Sequence, residues 1–147
     1  MVKKSSKEAK AFVQAAKRTL KKTASTKLLG FELEAVEQGH AIVRMDARPR
    51  HRQIHGVVHG GILAALADTA SGIAAYTTVP QGTAIATVEL KINYLEAVSG
   101  GRVTADARVL RAGRNFVAVE CEVFDAKGSL AAKALLTFGA ASGHSLR

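Results

Sequence analysis

Apolar positions along the chain follow two different periods, and the change from one to the other marks out the elements. Between residues 59 and 77 the apolar side chains Ile62, Leu63, Ala64, Ala65, Leu66, Ala67, Ala70, Ile73, Ala74 and Ala75 leave almost no polar face. A helix that is apolar nearly all round belongs inside a fold. Residues 84 to 95 instead alternate, with Ala86, Val88, Leu90, Ile92 and Tyr94 on one face and Thr87, Glu89, Lys91 and Asn93 on the other, which predicts a half-buried strand. The same alternation recurs over 102–110, 115–124 and 129–138, separated by the turn signals SGG, RAGRN and DAKG, the pattern of an antiparallel meander. Upstream, 29–37 and 40–46 read as two short strands joined at EQGH, and the region around Pro49 as a loop.

The order strand, strand, long helix, four strands is an α+β arrangement: a curved antiparallel sheet wrapped around one central helix. With 147 residues, 48% of them hydrophobic, the chain has material for one core. The expected organisation is a basic amphipathic N-terminal helix or tail over 1–27, the domain over 28–141 and a C-terminal tail over 142–147.

Charge changes this picture only at the N-terminus. The net charge is +9, but residues 1–27 carry nine Lys/Arg against Glu8 alone, and the other 120 residues hold 12 bases and 11 acids. Within the basic segment Ala9, Phe12, Val13, Ala16 and Leu20 form one helical stripe, the pattern of a helix docked on the domain with its lysines in solvent. Interleaved aromatics are missing, so no specific nucleic-acid partner is expected. No transmembrane span is expected either, because Asp68, Thr69 and Ser71 break the apolar run after Gly61. Cys121 is the single cysteine, which fits a buried thiol and a reducing, cytoplasmic setting.

One carboxylate, Asp68, sits in the apolar helix, nine residues after the histidine of a His59-Gly60-Gly61 triplet. The stretch RQIHGVVHGGILAALAD, followed by TVELKINYL and GRNFVAVECEVFDAKGSLAAKALLTF, resembles the hotdog-fold acyl-CoA thioesterases of the phenylacetic-acid-degradation (PaaI-like) type over roughly residues 28–140. That resemblance implies a hotdog domain, a homodimer that often pairs into a dimer of dimers, and hydrolysis of a thioester to a carboxylic acid and free CoA without a cofactor.

The residues give their own account of this chemistry. A helix start at Gly60 and Gly61 leaves N–H groups without intrahelical partners at the positive end of the helix, and glycine lets a substrate come close to them. The Gly60 N–H is thus a candidate oxyanion donor, with Gly61 beside it. Asp68 is a candidate general base, or a nucleophile forming a mixed anhydride; a buried Asp satisfied by Thr or Ser hydroxyls is the structural alternative. Gly60 and Asp68 are eight residues apart, about 12 Å along a helix, so one carbonyl cannot touch both groups of one chain. Asp68 is therefore expected to serve a substrate held by the partner subunit's Gly60, as the resemblance also implies.

Gln53 stands six residues before His59, where the related thioesterases commonly carry Asn or Gln, and its amide can donate to the thioester carbonyl or position the loop. His59 is expected to shape the oxyanion turn by hydrogen bonding. The resemblance places Thr87 where Ser or Thr often orients the attacking water. Arg111 and Arg114, at the RAGRN turn, could grip the phosphates of CoA, or simply be solvated. His51, His55 and His59 are spaced by four, but Pro49 and Gly56 argue against a helix there and acidic or cysteine ligands are missing nearby, so no metal site is expected. A non-catalytic acyl-CoA sensor and a hotdog enoyl-CoA hydratase or dehydratase are the alternative functions; only hydrolysis would release free thiol.

Overall fold

A computed structural model describes residues 6–141, with side chains over 11–140; the segment 142–147 lies outside the described residues. The elements are α1 (Ser6–Lys22), α2 (Ala24–Leu29), β1 (Glu32–Glu37), β2 (His40–Ala47), a single 3-10 turn (Pro49–His51), α3 (Gly60–Tyr76), β3 (Ala84–Tyr94), β4 (Gly101–Ala112), β5 (Phe116–Phe124) and β6 (Leu130–Ala141). All six strands form one antiparallel sheet in the order β1-β2-β4-β5-β6-β3. The sheet curves around α3, which buries Leu63, Leu66, Ala67, Ala70, Ala74 and Ala75 against inward-facing rows that include Val103, Ala105 and Ala107 of β4 and Val117, Val119 and Cys121 of β5. The small side chains of helix and strands allow this close approach. Burial pushes the Cys121 thiol up to about 12, so it stays protonated and serves as core.

Three features depart from the sequence pattern. The meander covers only β4, β5 and β6; β3 pairs with β6, not with β4, and stands at the edge of the sheet. Periodicity reports which faces a strand has, not which strand lies beside it. The strand expected from residue 29 starts at Glu32, because 24–29 form α2, ended by Gly30 in the left-handed conformation at φ +70°. Third, β3 is not evenly alternating. Thr87 pairs with Phe138 and Glu89 with Thr137, so Val88 is an extra residue, a β-bulge. Ile85 and Thr87 therefore face α3 before the bulge, and Leu90, Ile92 and Tyr94 face it afterwards. The strict alternation had set Thr87 on the face opposite Leu90; the bulge moves it to the same face.

Within the basic N-terminal segment, α1 packs against β1. Leu20 of α1 is buried in the core, and Thr26 of α2 donates its hydroxyl to the Leu20 and Thr23 carbonyls at 2.5 and 2.9 Å. Of the apolar stripe, the side chain of Ala9 lies outside the described residues.

Candidate active site

The loop before α3 is pinned at three points. His59 N–H donates to the His51 carbonyl at 2.8 Å, Val58 N–H to the Val98 carbonyl at 2.7 Å, and Arg52 and Val58 form a β-bridge. His51 is 1% exposed; its Nδ1 accepts the Arg48 N–H at 3.0 Å. Burial, with the nearby Arg50 and Arg48 charges, holds this imidazole below the usual histidine range. A neutral, buried His51 thus holds the base of the loop, a role its i, i+4 spacing with His55 and His59 did not reveal.

His59 caps α3. Its Nδ1 accepts the Gly61 N–H at 2.9 Å, which uses one of the donors left over at the helix start. A Cβ at residue 61 would lie 3.0 Å from that nitrogen, so glycine makes room for the cap. The Gly60 N–H has no acceptor among the described residues and points out of the positive end of the helix. Tyr94, at the end of β3, donates its hydroxyl to the Gly60 carbonyl at 2.8 Å, and its ring lies 3.0 Å from where a Cβ on residue 60 would be. Sequence reasoning placed Tyr94 only as a strand-face residue; its contact with Gly60 joins segments 34 residues apart and leaves no local signal. Gln53 is half-buried, its side-chain oxygen accepts the His55 N–H at 3.0 Å, and its amide N–H groups remain available to donate.

Farther along α3, Asp68 is half-buried and Thr87 donates its hydroxyl to Asp68 Oδ1 at 2.8 Å. This contact exists because of the Val88 bulge. The pair lines a cavity of about 590 Å³ bounded by Gly72, Ile73 and Tyr76 of α3, Phe138 of β6 and Phe12 and Ala16 of α1. That volume lies within the range of small-molecule sites, roughly 300–1,000 Å³. Gly60 and Tyr94 line a different cavity, of about 380 Å³, with Leu63, Leu95 and Val98. The structure therefore brings together Asp68 with Thr87, and Gly60 with Gly61, His59 and Tyr94, as two separate groups on one chain.

Arg111 and Arg114 are exposed at the β4–β5 hairpin. A bulge at Leu110 pairs Arg111 with Ala118 and turns it to the outer face of the sheet. Phe116 pairs with Gly139, which pairs with Ala86, so the hairpin shares a sheet end with Thr87, two strands away.

The Thioesterase superfamily profile matches residues 55–132, more than half of the chain and the whole of α3. The chain belongs to the thioesterase superfamily. It is 33% identical over 100 residues to the proofreading thioesterase EntH of Klebsiella pneumoniae, covering 68% of this chain and 73% of that protein. Among solved structures, the PaaI protein of the E. coli phenylacetic acid degradation operon superposes with a TM-score of 0.83 at 26% identity, over 92% of this chain and 96% of that one. A conserved protein of Pseudomonas aeruginosa superposes at 0.80 with 36% identity, over 84% and 98%. The fold is the hotdog, and the chain is a thioester hydrolase of PaaI-like type. Among the described residues no helix is long and apolar enough to cross a membrane.

Proposed function

We propose that the protein hydrolyses acyl-CoA thioesters at two composite sites of a homodimer, each made of Asp68 and Thr87 from one subunit and the Gly60 N–H from the other. The observation that carries this is the opening of Asp68 and Gly60 into different cavities of one chain, about 12 Å apart along α3. Two chains related by a twofold axis bring each half against its complement. β3 favours such pairing: it is an 11-residue edge strand with Val88 and Tyr94 at 62% and 50% exposure, an edge that a stable protein covers.

In this reading the thioester carbonyl oxygen rests on the partner subunit's Gly60 N–H. Thr87 occupies Asp68 Oδ1, which leaves Oδ2 to accept a proton from water as that water attacks the carbonyl carbon. Negative charge developing on the carbonyl oxygen is met by the N–H and the helix end behind it. Collapse of the tetrahedral intermediate breaks the C–S bond, the proton passes to the leaving sulfur, and the products are a carboxylic acid and CoA thiol. His59 and Tyr94 fix the backbone of the oxyanion turn, Gln53 donates to the carbonyl or steadies the loop, Gly61 stays beside the substrate with its N–H on His59, and Arg111 and Arg114 hold the nucleotide phosphates.

Free-thiol release from a panel of short, long and aryl acyl-CoA substrates tests this reading. Asp68→Asn is expected to cut turnover by about 100-fold or more, the scale of a lost general base, with the melting temperature and dimer retained. Turnover near that of the wild type would remove Asp68 from the mechanism.

A further inference from the structure

We infer that the acyl group lies along α3 from Asp68 toward Tyr76, covered by α1, and that Gly72 determines how large an acyl group the enzyme accepts; this rests on the thioesterase reading above. Asp68, Gly72 and Tyr76 are spaced i, i+4, i+8, which puts them in one row on a helix face, and all three line the 590 Å³ cavity. The row spans about 12 Å, with the reacting carboxylate at one end.

The walls define the class of acyl group. Phe12 and Ala16 of α1, Ile73, Ile85 and Phe138 supply apolar surface, and among the described residues neither Lys, Arg nor His lines the cavity. The other polar groups of the lining are threonine and Tyr76 hydroxyls, so a carboxylate at the far end of the acyl group would meet no cation there, and the cavity suits an uncharged aliphatic or aryl group.

Gly72 has no backbone or packing reason to be glycine. It lies within α3 without a positive φ, and a Cβ there would meet only the Phe138 ring, at 3.5 and 3.8 Å, ordinary contact distances. Mid-helix glycine carries an entropic cost that alanine would avoid. What a larger side chain at 72 would occupy is the cavity itself, one helical turn beyond Asp68.

The test measures kcat/KM by thiol release for the wild type, Gly72→Ala and Gly72→Leu across straight-chain acyl-CoA substrates from acetyl to palmitoyl, with phenylacetyl-CoA added. Gly72→Leu is expected to raise the ratio of short-chain to long-chain kcat/KM by about tenfold or more, the discrimination that one or a few methylenes produce in an apolar pocket, with Gly72→Ala between it and the wild type. Phe12→Ala, on the opposite wall, is expected to move the profile toward longer chains. Melting temperatures identify any variant that fails to fold. An active wild type whose profile is unchanged by Gly72→Ala, and by Phe12→Ala, overturns the pocket assignment while leaving the hydrolase reading intact. A folded wild type that releases no thiol from any acyl-CoA overturns the acyl-CoA reading beneath it.

Discussion

A composite site can be rebuilt from two dead proteins. One parent carries Asp68→Asn and keeps its oxyanion donor; the other carries Gly60→Pro and keeps its carboxylate. Proline suits residue 60 better than most helical positions. It is the first residue of α3, its N–H is the group to be removed, and His59 before it sits at φ −63°, ψ 133°, the extended conformation that a following proline requires. The obstacle is Tyr94, whose ring lies 3.0 Å from a Cβ at 60, so the ring must move aside; a Tyr94→Leu chain measured alone reports the effect of that movement. After equal random mixing, half the dimers are mixed, and each has one intact Gly60 facing one intact Asp68 and one site with neither. About a quarter of wild-type activity should return. The assay is thiol release after subunit exchange, with exchange monitored by mass spectrometry of differently tagged chains. If mixed dimers form and both parents are folded, the absence of restored turnover would falsify the shared site, because an Asp68 acting within its own chain gains nothing from a partner's glycine.

Removing residues 1–22 is expected to lower both the melting temperature and acyl-CoA turnover, since it deletes buried Leu20 and the Phe12–Ala16 wall; a truncated protein with full activity would set this basic segment outside the chemistry. Thr87→Val, which keeps the shape and removes the hydroxyl, is expected to reduce kcat/KM by about tenfold, the low end for a hydrogen bond to a charged group at a partly exposed site, and to add little to Asp68→Asn. His51 predicts a pH dependence of stability. Its imidazole titrates lower in the fold than in the unfolded chain, so its contribution is full above about pH 6.5 and is lost as pH falls from there through the lower folded value. Denaturant unfolding at a series of pH values should show this slope, and His51→Asn should flatten it; an unchanged slope would assign the effect elsewhere.

The sequence made the central helix legible because eleven apolar positions between residues 60 and 76 leave little choice, and it made Asp68 conspicuous because a carboxylate in such a helix demands a reason. Inward rows such as Val103, Ala105 and Ala107 could likewise be read by alternation. What stayed hidden was set by contacts distant in sequence. The place of β3 beside β6, the Tyr94 ring over Gly60 and the reach of α1 into the cavity beside Asp68 each join segments with no shared local pattern. Short α2 was not told apart from the basic segment before it, and its last residue, Leu29, was read as strand, because six residues with two leucines carry too little periodicity to set its bounds.

The bulge in β3 leaves the strand one residue that its pairing with β6 does not need. Val88 is 62% exposed and lies over Gly139 on the outer face, so many side chains could stand there at small cost. Deleting it would join Thr87 directly to Glu89, whose partners Phe138 and Thr137 are already neighbours on β6, so Leu90 to Tyr94 would keep their pairing and Ile85 and Thr87 would go on facing the helix. Residue 88 is thus a spare link in an otherwise continuous ladder, and descendants of this sequence can be expected to vary the letter there freely and to tolerate its loss while Thr87 keeps its partner.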